Sequence, residues 1–293
     1  MMLQQFARTG IAGIVPLFLC ISLVYAQFTS GVSLVEVYAT VTDSRGEPVT
    51  NLKASDFRVR QDGTPQSITT FAAGEFPLAV AIGLDRSFSM AGRTGSKNDR
   101  LAAAKSAARA FVAALRREDQ VMVVAIGSDT DVVAPLSTDH AAALAAIDRL
   151  DAWGTTPLYD ATLAALDAIQ SAKGRRALVL LSDGTDRYSE TNAADLVYRA
   201  RRRDVLVYPI AIGLVRPPVF AELATATGGR SFFVKDPREL DAILTTIAKE
   251  LRFQYLLGYV PPAASDGGAW RAIEVDVNRP GVRVRARDGY FAR

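Results

Sequence analysis

Four nearly unbroken apolar runs, separated by helical stretches, constrain this chain more than any other feature. Pro77 to Leu84, Val121 to Ile126, Ala177 to Leu181 and Val205 to Ile210 are built from Val, Leu, Ile, Ala and a few small or aromatic residues. A strand with one wet face alternates polar and apolar residues. A strand covered on both faces is apolar throughout, as in a parallel sheet layered by helices. The stretches between the runs have helical spacing: Leu101, Ala104, Ala108, Phe111 and Leu115 fall on one stripe of Arg100 to Leu115. Thr138 to Leu150, Leu158 to Ser171 and Thr191 to Arg203 follow, each with a capping residue at or near its start. Pro218 to Thr227 and Pro237 to Leu251 are two further helices, with a short strand at Ser231 to Val234 between them. The alternation predicts an α/β domain with a doubly wound, mostly parallel sheet and right-handed crossovers over residues 76–251.

On either side the period changes to two. Val32 to Val41, Phe57 to Arg60 and Ser67 to Phe71 read as strands before the α/β part. Gln254 to Val260, Ala272 to Val277 and Val282 to Ala286 read as strands after it, separated by Pro261-Pro262 and Pro280-Gly281. Three strands are too few for either segment to stand alone. Segments 27–75 and 252–293 are therefore expected to pair into one small β-sandwich, with the α/β domain inserted between them.

Residues 1–26 differ from the rest. Arg8 is the one charge, an apolar run follows from Ile11 to about Val24, and Val24-Tyr25-Ala26 offers a cleavage site before Gln27. The run is short and interrupted by Pro16, which predicts a cleaved secretory signal rather than a spanning helix. No second run of spanning length follows, so no membrane span is expected after cleavage, and the protein is expected in the periplasm, outside the cell or at its surface. The single cysteine, Cys20, lies within that signal, with Leu19 where a lipoprotein signal has a small residue. The mature chain then has no disulfide, no thiolate nucleophile and no cysteine metal site. His140 is the single histidine and sits at a helix start, which argues against histidine-based triads and zinc sites. A net charge of +3 over 293 residues leaves no broad basic surface for nucleic acid, and the cluster Arg199, Arg201, Arg202 and Arg203 reads as a solvated helix end.

In an open parallel sheet, ligands bind outside the carboxyl ends of the strands, where the topology reverses. The first buried run ends Asp85-Arg86-Ser87-Phe88-Ser89, and the third ends Ser182-Asp183-Gly184-Thr185-Asp186. Between them Trp153-Gly154-Thr155-Thr156-Pro157-Leu158 leads into a helix. Three loops thus bring carboxylate and hydroxyl oxygens to one rim, a donor set suited to a hard divalent cation. Taken singly, each piece is also an ordinary cap or turn.

In this order, Asp-x-Ser-x-Ser, Gly-x-Thr-Pro-Leu-Tyr-Asp and Ser-Asp-Gly resemble the metal-ion-dependent adhesion site of von Willebrand factor type A domains. The flanking pieces, Asp56 to Gly63 and Gln254 to Tyr259, resemble a bacterial group of exported proteins related to that family. The resemblance implies that Ser87, Ser89 and Thr156 offer hydroxyls to a metal, with Asp85 and Asp183 acting directly or through water. It implies magnesium, with manganese or calcium as substitutes, and an open position taken by an acidic side chain of a protein partner. Phe88 departs from the family pattern, where glycine is common.

Enzyme readings fit poorly. A haloacid-dehalogenase-like phosphotransferase needs a second acidic residue where Ser87 stands. Gly92 to Lys97 lacks the Walker spacing, and no Gly-x-Ser-x-Gly with a histidine base is present. Two non-enzymatic readings remain: metal-dependent protein binding of the adhesion type, and a structural scaffold in envelope assembly whose metal is incidental. Oligomeric state is open.

Overall fold

The computed structural model describes residues 34–91, 99–262 and 267–292. The segment 1–26 read as a secretory signal and the loop Gly92 to Lys97 lie outside the described residues.

The chain starts with β1 (Val35–Thr42), β2 (Phe57–Gln61), β3 (Thr64–Gln66) and β4 (Thr70–Gly74). The expected strand from Ser67 to Phe71 is thus replaced by two shorter ones. The reason lies in the turn: Gln61 pairs with Thr64 across Asp62-Gly63, whose φ values are +49° and +77°. Positive φ at both central residues matches the right-handed twist of a hairpin, so β3 must follow at once.

The α/β part contains β5 (Leu78–Asp85), α1 (Arg100–Ala114), β6 (Gln120–Ile126), β7 (Thr130–Ser137), α2 (His140–Asp148), α3 (Leu158–Ala168) and β8 (Arg175–Ser182). It continues with α4 (Ala193–Arg201), β9 (Leu206–Ile212), α5 (Pro218–Thr227), β10 (Phe232–Val234) and α6 (Leu240–Arg252). The strands form one sheet in the order β10-β9-β8-β5-β6-β7, parallel except for β7, which runs antiparallel to β6 at the edge. Val80, Ile82 and Leu84 face the core under α1, α2 and α6, while Ala79 and Ala81 face the core under α3, α4 and α5. Burial on both faces is why these strands read as continuous apolar runs. The topology reverses between β5 and β8, so their carboxyl ends form the crevice.

The tail adds β11 (Gln254–Tyr259), β12 (Trp270–Val277), β13 (Arg283–Arg285) and β14 (Gly289–Phe291). These strands join those of the first segment in two four-stranded antiparallel sheets, β13-β1-β11-β4 and β14-β12-β2-β3. Val37, Ala39 and Leu257 from the first and Phe57, Val59 and Ile273 from the second share one core. The Gln-Tyr-Leu-Leu-Gly-Tyr stretch has a structural role there. Gln254 donates to Thr40 Oγ1 (2.7 Å), Tyr255 OH to the Val49 carbonyl (2.6 Å) and Tyr259 OH to Gln61 Oε1 (2.9 Å).

Both chain crossings between the α/β part and the sandwich meet at Arg175. Its guanidinium donates to the Phe76 carbonyl (2.6 Å) at the first crossing, and to the Leu251 carbonyl (2.6 Å) and Gln254 Oε1 (2.8 Å) at the second. Burial lowers its pKa to about 10, so it remains cationic at neutral pH. Beside it, the buried Glu250 of α6 pairs with Arg230 (3.1 Å) and with Arg285 of β13 (2.5 Å).

The basic cluster at the end of α4 is the solvated face expected from the sequence only in part: Arg199 and Arg202 are exposed, yet most of the cluster has partners. Arg201 pairs with Asp288 (2.6 Å) and lies over the Trp270 ring, Arg202 lies over Phe291, and Arg203 pairs with Asp167 (2.6 Å). Guanidinium groups suit such planar contacts. Arg201 and Arg202 thereby tie α4 to the second sandwich sheet.

Candidate metal centre

Asp85 is the last residue of β5 and is wholly buried. The chain leaves the sheet there, and Ser87 N–H turns back to donate to Asp85 Oδ1 at 2.9 Å. Thr156 Oγ1 donates to the same oxygen at 3.5 Å, and Ser182 Oγ, from the end of neighbouring β8, donates to Oδ2 at 2.6 Å. Ser87 Oγ and Ser89 Oγ are 3.0 Å apart, with Ser87 buried and Ser89 exposed at the mouth. Asp183 follows Ser182, is buried, and accepts from Thr185 N–H at 3.0 Å. Its Oδ2 lies 3.9 Å from Arg100 Nη1. The five residues singled out in the sequence therefore sit on three loops around one carboxylate. Ser182 opens the Ser-Asp-Gly stretch but is not among the expected site residues. Its contact follows from the β5–β8 pairing, in which Leu84 is level with Leu181.

The loops hold one another. Trp153 N–H donates to the Arg86 carbonyl (2.6 Å), Phe88 N–H to the Gly154 carbonyl (3.0 Å) and Arg187 N–H to the Thr156 carbonyl (2.7 Å). Gly154 has φ +74°, and a Cβ there would sit 2.3 Å from Ser128 Oγ, so no other residue fits without displacing the β6–β7 turn. Helix α3 has Pro157 at its N-cap position, which offers no side-chain cap. Its first amides are met from the β8 loop instead, where Asp186 Oδ1 and Ser189 Oγ each accept from Tyr159 N–H at 3.1 Å.

Burial raises the Asp85 pKa above its ordinary value, the bonds from Ser182 and Ser87 oppose the shift, and the charge of Asp183 adds to it. Among the described residues the ion pairs at this rim are Arg100 with Asp183 and Arg86 with Asp131, so Asp85 has no cation partner. A buried carboxylate lacking a counter-charge is costly unless a metal supplies one.

The donors fit a divalent cation. Hard cations such as magnesium and calcium take oxygen ligands, and the Ser87 and Ser89 hydroxyls, hydrogen-bonded to each other at 3.0 Å, are close enough to serve one ion. Among the described residues no group of three His, Cys, Asp or Glu side chains gathers as a metal site. That is in keeping with a set of two carboxylates and three hydroxyls.

Residues 80–185 match the sequence profile of the von Willebrand factor type A domain family. No curated protein matches the chain. Among solved structures, a von Willebrand factor type A protein from Catenulispora acidiphila aligns at 17% identity and TM-score 0.53, over 90% of this chain and 76% of that one. Proximal thread matrix protein 1 from the mussel byssus, with zinc in its MIDAS motif, aligns at 16% identity and TM-score 0.53, over 64% of this chain and 48% of that one. The vWF domain of the type V pilus tip protein Mfa5 from Porphyromonas gingivalis aligns at 12% identity and TM-score 0.50, over 61% of this chain and 95% of that one. At these identities the likeness is one of fold. Taken with the family match, the parallel sheet and the rim at the ends of β5 and β8, it identifies a von Willebrand factor type A domain over residues 80–185 of this chain.

Proposed function

We propose that this protein is an exported, metal-dependent protein-binding module of the adhesion type. Ser87, Ser89 and Thr156 would give hydroxyl oxygens to a divalent cation, magnesium with manganese or calcium as substitutes. Asp85 and Asp183 would bind it directly or through water. With two carboxylates as the anionic groups of the site, the bound cation keeps positive character and attracts an acidic side chain from a partner protein. The observation that carries this reading is the wholly buried Asp85, without a cation partner among the described residues and held by three donors beside the Ser87 and Ser89 hydroxyls.

Binding rather than catalysis is favoured because the mature sequence has no thiol and its single histidine points elsewhere: His140 Nε2 is 2.9 Å from the Asp119 carbonyl. Residues 1–26 are read as the export signal. Residues 27–75 and 252–293 are read as one sandwich module and 76–251 as the inserted A domain. No helix of the described residues is long and apolar enough to cross a membrane.

Thermal unfolding of the mature protein with chelator, then with magnesium, manganese or calcium, tests the site. A ligand bound by the folded state alone stabilises it by about 2.7 kcal/mol at a hundredfold excess over Kd. The expected result is a metal-dependent rise in Tm that is absent in Asp85→Ala and Thr156→Ala. No rise in the unsubstituted protein would overturn metal-dependent binding and leave the scaffold reading.

A further inference from the structure

Large apolar side chains surround the candidate centre in solvent. Phe88 is 62% exposed, Trp153 51%, Tyr188 79% and Leu214 83%. One such residue on a surface means little, whereas several around one polar centre form a contact surface. Each is placed by a loop already tied to the site. Phe88 lies between Ser87 and Ser89, and its N–H bonds to the carbonyl of Gly154, next to Trp153. Tyr188 follows Arg187, whose N–H bonds to the Thr156 carbonyl. Leu214 leaves β9 in the loop that reaches Pro217, which packs on Gly184, where an added Cβ would meet Pro217 Cγ at 2.4 Å.

The sheet order β9-β8-β5-β6 puts these residues on two sides of Asp85. Trp153 lies toward β6, since a Cβ on Gly127 would meet its carbonyl oxygen at 2.7 Å. Leu214 lies on the β9 side, and Phe88 and Tyr188 follow β5 and β8 between them. Tyr188 has φ +69°, a conformation that a bulky residue adopts only when its surroundings impose it. The exposed cations Arg187 and Arg216 stand in the same two loops as Tyr188 and Leu214.

Resting on the metal-dependent reading above, we infer that the partner is a protein segment in which an acidic residue has large apolar neighbours on both sides. The carboxylate engages the centre, while its neighbours pack on Phe88 and Trp153 to one side and on Tyr188 and Leu214 to the other. Arg187 and Arg216 favour further negative charge in the segment.

The test uses fluorescein-labelled nonapeptides with a central Glu, flanked on each side either by Leu-Phe or by Ser-Gln, in magnesium and in chelator. The Leu-Phe peptide is expected to bind in magnesium about tenfold tighter than the Ser-Gln peptide, as one additional buried apolar side chain would give. Phe88→Ser and Leu214→Ser should each remove most of that preference while leaving the magnesium-dependent rise in Tm intact. Equal binding of the two peptides, no binding of either, or a preference unmoved by the variants overturns the inference. Magnesium-dependent self-association in sedimentation, lost in Phe88→Ser, would assign the surface to a second copy and likewise overturn it. Loss of the Tm response in the unsubstituted protein is a separate failure, that of the metal-dependent reading.

Discussion

Ser182 Oγ donates to Asp85 Oδ2 at 2.6 Å, joining the carboxyl ends of two adjacent parallel strands at the point where the sheet topology reverses. The same hydroxyl accepts from Gly184 N–H at 3.0 Å, so it both orients the buried carboxylate and anchors the loop carrying Asp183. A hydrogen bond to a buried charged group contributes roughly 1.5–3 kcal/mol. Ser182→Ala is therefore expected to lose about 2 kcal/mol in urea unfolding under chelator. A loss under about 0.5 kcal/mol would show that the bond makes no net contribution.

Asp85→Asn should stabilise the metal-free protein at neutral pH by about 1 kcal/mol while abolishing its response to magnesium, because the amide removes the cost of a buried charge and with it the anionic ligand. The sign follows from the raised pKa of Asp85, due first to burial. A carboxyl that is less acidic in the fold contributes stability below its unfolded pKa, and that contribution disappears as pH rises through the folded value. In chelator, the advantage of the Asn variant should grow between pH 4 and pH 7. Tm measured against pH for both proteins checks this, and parallel curves would contradict it. Since the metal competes with the proton, the magnesium-induced rise of the unsubstituted protein should shrink on acidification.

Arg100 reaches Asp183 Oδ2 at 3.9 Å and the Ser89 carbonyl at 3.5 Å, which sets a fixed positive charge beside the proposed cation. Two like charges at such range repel, less so at high salt. Arg100→Gln is expected to raise magnesium affinity by a factor of about three or more at low ionic strength, with a smaller gain in salt. Calorimetric titration reads both. Unchanged affinity would mean that the guanidinium withdraws when metal binds.

Arg175 is buried where the two chain crossings meet, donating to the Phe76 and Leu251 carbonyls. Arg175→Leu would strand the Leu251 carbonyl and Gln254 Oε1, each at a cost of about 1–3 kcal/mol, while the Phe76 carbonyl keeps Arg116 Nη2 at 2.9 Å, so a loss of about 3 kcal/mol is expected in denaturant unfolding. Arg175→Lys should recover only part of it, because a single ammonium cannot span both crossings as the fork does. Full recovery by lysine would show that charge alone matters at this position.

Much of the fold is legible locally. The runs ending at Leu84 and Leu181 are apolar because both faces of their strands are covered, and the helix starts at Asp99 and Asp139 have side chains that accept from their own first turns. The edge strand β7 is not legible, since it contains Pro135 and leaves Val132 and Val133 exposed, which breaks the expected alternation. Short β3 and β14 escape because β3 contains Pro65 and β14 opens on Gly289, residue types depleted in strands. The contacts of Arg201 and Arg202 are not legible locally, because Asp288, Trp270 and Phe291, which receive them, lie far along the chain.

The sequence by itself determined the type and order of the layers and the five oxygen-bearing residues of the candidate centre, because burial periodicity and short motifs are properties of neighbouring residues. Tertiary structure decided which strands lie side by side, that Ser182 and Arg100 join Asp85 and Asp183, and that one buried arginine holds both chain crossings. Ser182 and Asp85 are 97 residues apart, and Arg175 is 99 residues from Phe76. Contacts at such separations arise only when the packed core brings strand ends and loops together, and no local pattern records them.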